Sequence, residues 1–167
     1  MKNPLLSKLR RKLPAITFIK TNTFYWSPQT NSIHFNPDAL ELEDGQWALL
    51  HEAAHALLGH KTYYTDAGLL MLEVAAWQAA EELSRSLEVT INEDHIQDCL
   101  NTYRDWLYAR STCPACTLNS LQIDGTTYRC LNCSTQWSVS QSRFCRPYRM
   151  QERNKKTSPG ASQTMFV

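Results

Sequence analysis

Glycine is scarce in this chain, with five residues in 167, and proline contributes seven, without any self-similar period. That composition excludes collagen-like, low-complexity and solenoid architectures. Also missing is any apolar run near the roughly 20 residues that a bilayer-spanning helix needs, so no transmembrane segment is expected. The opening Met1-Lys2-Asn3-Pro4-Leu5-Leu6-Ser7-Lys8 lacks the apolar stretch and cleavage site of a secretory signal. Cytoplasmic residence is the expectation. With 43% hydrophobic and 20% charged residues, the chain has apolar surface for one ordinary core plus a small satellite.

The net charge of +1 hides a segregation. The first 20 residues hold six Lys/Arg and no acid, residues 21–109 hold three against fourteen Asp/Glu, and residues 110–167 hold eight against two. The basic ends either neutralise the acidic middle or present a surface to nucleic acid or an acidic partner. Four of the six cysteines form two C-x-x-C pairs, which favours a metal over disulfides in a chain read as cytoplasmic.

Asn3-Pro4 starts a short basic helix whose Leu5, Leu6, Leu9 and Leu13 recur at helical spacing and should dock on the core. β-Branched and aromatic residues from Ile16 to Tyr25, turn residues Ser27 to Asn31, and alternating Ser32-Ile33-His34-Phe35 predict a small antiparallel sheet. A helix opening at Asp44-Gly45 carries Trp47, Leu50, Ala54, Leu57 and Leu58 on its apolar side and stops near Gly59. After a loop from His60 to Asp66 comes a long helix, Leu69 to Leu87. Thr90-Ile91-Asn92-Glu93 reads as a capping box. Behind it Ile96, Cys99, Leu100, Tyr103 and Leu107 share one stripe, making Cys99 a core residue. The composition changes between Ala109 and Thr112. The predicted organisation is α+β, with a domain over 1–110, a cysteine-bearing module over 111–150 and a disordered tail over 151–167.

His51-Glu52-Ala53-Ala54-His55 matches H-E-x-x-H, with roughly 0.008 chance matches expected from this composition. Residues four apart on a helix are neighbours, so both imidazoles can reach one Zn²⁺ and the intervening Glu52 can reach a water beside it. A hydrolytic zinc takes three protein ligands and leaves a position for water. A metzincin would need Gly where Leu58 stands and His where Lys61 stands, so that class is excluded. His60 lies nine residues after His51, on the opposite side of a continued helix, and reads as a polar helix-end residue. Glu73 on the next helix is the preferred third ligand, with Ala76 and Trp77 one turn along giving close approach and an apolar wall. Glu81, Glu82 and Asp66 are its rivals.

Leu49 to His60, reading LLHEAAHALLGH, and Glu73 to Ala80, reading EVAAWQAA, together resemble the ImmA/IrrE family of metallo-endopeptidases. The resemblance covers roughly residues 15–90 and departs from the family in ending the second helix with Glu82-Leu83-Ser84-Arg85. It implies a small gluzincin-like domain, with His51, His55 and Glu73 holding a catalytic zinc and Glu52 as the general base and acid of peptide hydrolysis. It also implies a protein substrate of DNA-binding repressor type. By analogy with such folds, an edge strand near Ile33 to Phe35 would hold an extended peptide. His34, Tyr63 and Tyr64 are candidates to stabilise the oxyanion.

Cys113-Pro114-Ala115-Cys116 and Cys130-Leu131-Asn132-Cys133 are separated by thirteen residues, with a hairpin signal at Asp124-Gly125 between them. Four thiolates from two such knuckles close a tetrahedral site, so a structural zinc in a zinc ribbon is expected. A redox role for either pair is the alternative. Cys145 is left over as a free thiol. Arg143, Phe144, Arg146, Tyr148 and Arg149 interleave basic and aromatic side chains, suited to nucleic acid or a protein partner. The leading reading is therefore a zinc endopeptidase whose ribbon recruits a partner. Its competitors are a SprT-like zinc peptidase acting at DNA, which would want a downstream His-Gly pair that this chain lacks, and a non-catalytic zinc-ribbon binding module.

Overall fold

The computed structural model describes residues 3–140 and the backbone of Met150–Gln151. The chain is α+β and separates into two compact units, Met1–Ala109 and Arg110–Val167. Among the described residues, no helix is long and apolar enough to cross a membrane.

In the first unit, helix α1 (Pro4–Lys12) begins as its sequence dictates. The Asn3 side chain accepts from the Leu6 N–H, Pro4 occupies the first turn, and Leu5, Leu9 and Leu13 are buried. Three strands follow: β1 (Thr17–Lys20), β2 (Tyr25–Ser27) and β3 (Ser32–Phe35). Their order is β1-β3-β2, with β2 antiparallel and β1 parallel to β3. The sheet is thus mixed rather than antiparallel. The links at 21–24 and 28–31 each reverse the chain, so β3 runs in the direction of β1. Because Ser32, Ile33 and Phe35 are the buried members of the sheet, β3 takes its centre and must pair β1 in parallel.

Helix α2 (Glu43–Leu57) starts after a short 3-10 turn at Ala39–Glu41, with Glu43 and Asp44 complementing its N-terminal dipole. Gly45 is required there, since a β-carbon at that position would lie 2.0 Å from the Ala39 carbonyl oxygen. The helix stops at Leu57, and Gly59 turns the chain with φ of +64°, the left-handed conformation that glycine adopts without a steric cost. Helix α3 (Asp66–Leu87) is capped by Thr65, whose hydroxyl accepts from the Gly68 N–H at 3.0 Å. Helix α4 (Glu93–Ser111) is capped by Asn92, which accepts from the Asp94 N–H at 2.8 Å. The cap is therefore Asn92 and not Thr90, because the Asn92 side chain directly precedes the first turn and satisfies the free Asp94 N–H. Leu49, Leu50, Ala53 and Ala54 of α2 join Ala76, Trp77, Ala80 and Leu83 of α3, together with Ile33, Phe35 and the α1 leucines, in one buried cluster. Cys99 packs half-buried against that core.

In the second unit, β4 (Leu121–Gln122), β5 (Thr127–Arg129), β6 (Gln136–Ser138) and β7 (Met150–Gln151) form an antiparallel sheet in that order. The β4–β5 hairpin is closed by Asp124, whose carboxylate accepts from the N–H groups of Thr126 and Thr127. Tyr128 stacks on its cross-strand partner Trp137 with centroids 5.5 Å apart. The Trp137 indole donates to the Arg110 carbonyl at 3.0 Å.

Candidate metal centre

One turn of helix brings the functional side chains of α2 together. His51 and His55 are one turn apart on the face that meets α3, and Glu73 reaches them from the first third of that helix. His51 Nε2 lies 3.1 Å from His55 Nε2 and 3.1 Å from Glu73 Oε2, and His55 Nε2 lies 3.6 Å from Glu73 Oε1. Each side chain is at most 12% exposed. Ligands 2.0–2.2 Å from a tetrahedral zinc stand about 3.3–3.6 Å apart, so the three donor groups already have nearly the spacing of a metal triad. The group could hold a metal ion. Glu81 and Glu82 lie more than two turns farther along α3, and Asp66, although buried, is outside the triad. Trp77 stacks on His51 at 4.3 Å, supplying the apolar wall.

Electrostatics fit the same use. Burial pushes the Glu73 carboxyl up, but hydrogen bonds from His51 and His55 outweigh it and hold the group well below the ordinary carboxylate range. Glu52, next to the first histidine, goes the other way. Burial raises it against the opposing pull of His51, His55 and the Trp26 N–H, which donates to Glu52 Oε2 at 2.7 Å.

No family model, curated protein or solved structure matches this chain. What the site can do must therefore be read from its own atoms.

Tyr25, Trp26, Pro28, Leu69, Leu72 and Tyr103 line a cleft of about 240 Å³ together with His51, Glu52, His55 and Glu73 at its floor. The strand bordering it is β2, an edge of the sheet; β3, expected near Ile33–Phe35 to be that edge, is central. Of the oxyanion candidates, Tyr63 lines the cleft, Tyr64 is 84% exposed and His34 sits in β3 stacked on Tyr25 at 4.0 Å. Sequence reasoning missed Trp26 and Tyr103, whose roles come from tertiary contact and carry no local signal. It also misplaced His60. Counting 100° per residue assumed that the helix continues, whereas α2 ends at Leu57 and the turn at Gly59 swings His60 back, with its Nδ1 2.8 Å from His55 Nδ1.

The second cluster is in the other unit. Cys113, Cys116, Cys130 and Cys133 are free thiols whose sulfurs lie within 4.8 Å of one another. Cys113 and Cys133 are 3.6 Å apart, Cys116 and Cys130 3.4 Å, near the roughly 3.8 Å edge of a tetrahedron with Zn–S bonds of 2.3 Å. The two knuckles are copies of one another. In each, the residue after the second cysteine donates its N–H to the first cysteine's carbonyl at 3.0 Å, from Thr117 to Cys113 and from Ser134 to Cys130. Both Thr117 and Ser134 adopt positive φ. The Ser120 hydroxyl and the Cys133 N–H bring the Cys130 thiol down to about 6. Thr135 lowers Cys133 likewise. A backbone bond from Leu118 favours the Cys116 thiolate, yet neighbouring Cys130 and burial push that thiol up to about 11. Four thiolates this close repel, and a cation is what lets them all ionise. Arg143, Phe144, Arg146, Tyr148, Arg149, Cys145 and residues 152–167 of the expected tail lie outside the described residues.

Proposed function

We propose that this chain is a zinc-dependent endopeptidase of the ImmA/IrrE type. The observation carrying the reading is the convergence of His51, His55 and Glu73 on one point beside Glu52, within a cleft bordered by an edge strand. Zinc held by His51 Nε2, His55 Nε2 and the Glu73 carboxylate would supply Lewis acidity, polarising a peptide carbonyl and making water acidic near neutral pH. The rest of the chemistry belongs to the protein. Glu52, lifted above ordinary carboxylate behaviour by burial, accepts a proton from the attacking water and returns it to the leaving amine. The Trp26 N–H holds the Glu52 Oε2 atom in place, leaving Oε1 for proton transfer. Tyr25, Trp26, Leu69 and Leu72 exclude solvent around the scissile bond.

In this reading the four-cysteine unit carries a structural zinc and recruits the protein substrate, a DNA-binding regulator. Its support is chemical: four sulfurs would fill all positions of a tetrahedral ion, so the cluster would have no place for a reacting group. The test is a comparison of peptide termini in extracts expressing the wild type or Glu52→Gln. Termini that appear with the wild type and vanish with the variant support hydrolysis. Identical termini in both overturn it.

A further inference from the structure

We propose that His60 is a positioning residue, fixing the His55 ring for metal binding, and that Trp26 fixes His60 in turn. The inference rests on the metal reading of the His51–His55–Glu73 site. His60 is held at three points. Its N–H donates to the His55 carbonyl at 3.0 Å, its own carbonyl accepts from the Trp26 indole at 2.8 Å, and its ring Nδ1 lies 2.8 Å from His55 Nδ1. The reversal at Gly59, with its positive φ, makes this return possible.

The chemistry of imidazole gives the contact its meaning. A histidine whose Nε2 faces a metal keeps its proton on Nδ1, and the acceptor of that proton sets the ring's tautomer and orientation. For His55 the atom in that place is His60 Nδ1, so His60 carries its own proton on Nε2. The other imidazole is held differently. His51 Nδ1 is buried without a hydrogen-bond partner among the described residues, and its ring is fixed by stacking on Trp77 at 4.3 Å. One ligand is oriented by an aromatic plane, the other by a hydrogen bond that reaches back to the edge strand through Trp26.

The test uses the full chain loaded with Co²⁺, whose thiolate charge-transfer band reports the cysteine site and whose weaker visible bands report the histidine site. Chelator titration then gives both affinities in one sample, with the cysteine site as internal reference. His60→Leu should weaken cobalt binding at the histidine site about 10- to 100-fold and leave the thiolate band unmoved. His60→Asn, whose side-chain oxygen can accept near the Nδ1 position, should restore most of the loss. Trp26→Phe, which removes the indole donor together with one ring but leaves an aromatic in place, should fall between them. Unchanged affinity in His60→Leu, or an Asn variant as weak as the Leu variant, overturns the inference. A wild-type chain with a thiolate band and no second set of bands overturns the metal reading itself, a result distinguishable from either.

Discussion

The two metal-capable clusters are pinned by opposite means. His51, His55 and Glu73 ride on helices whose other faces are locked into a core of leucines, alanines and Trp77 that counts none of the three among its members. Among the described residues, the cysteines have no such foundation. The buried cluster of their unit, again among the described residues, is Cys113, Tyr128, Cys130, Trp137 and Val139, so two of its five members are themselves candidate ligands. A site set on a finished core is ready before a metal arrives and can spare a coordination position for chemistry. On the proposed reading, a site whose ligands are the core would need the ion in order to fold.

The sharpest way to break this comparison is to strip both metals with a strong chelator. The cysteine unit should lose the near-ultraviolet signature of its stacked Tyr128 and Trp137, since structural zinc in such small modules contributes about 10–16 kcal/mol. The helices of the first unit should keep their far-ultraviolet signal; cooperative collapse of both units would end the distinction. Next in size, Glu52→Gln should slow peptide hydrolysis by about 10²–10⁴-fold, the range of a lost general base, with two metals still bound by elemental analysis. Glu73→Ala should release the histidine-site metal only, dropping the count by one while the thiolate site stays filled. The smallest effect belongs to the scaffold. Asn3→Ala removes the cap of α1 and should cost about 1 kcal/mol in denaturant unfolding of the first unit, without changing either metal count.

The parts of the site visible in the sequence are those encoded by local spacing. His51, Glu52 and His55 announce themselves by four-residue periodicity, and the cysteine knuckles by their two-residue gaps. Glu73 was legible at one remove, because a helix following a short loop can return a carboxylate to the pair. What stayed hidden depends on where the chain stops or turns. His60 was misplaced because periodicity cannot say that α2 ends at Leu57. The parallel pairing of β1 with β3 was missed because hairpin signals report reversals, not which strand burial drives to the centre. Trp26 links two elements through its amide and its indole, and neither bond leaves a mark in the local pattern.

Gly45 has a consequence for how this architecture can vary. Main chain touches main chain there, with no room for even a methyl group between α2 and the Ala39 carbonyl. The spacing from the 3-10 turn at Ala39–Glu41 to the start of α2 is therefore set by backbone thickness. Any side chain at this one position would have to push the first turn of α2, and the helix behind it, off the connector that anchors it.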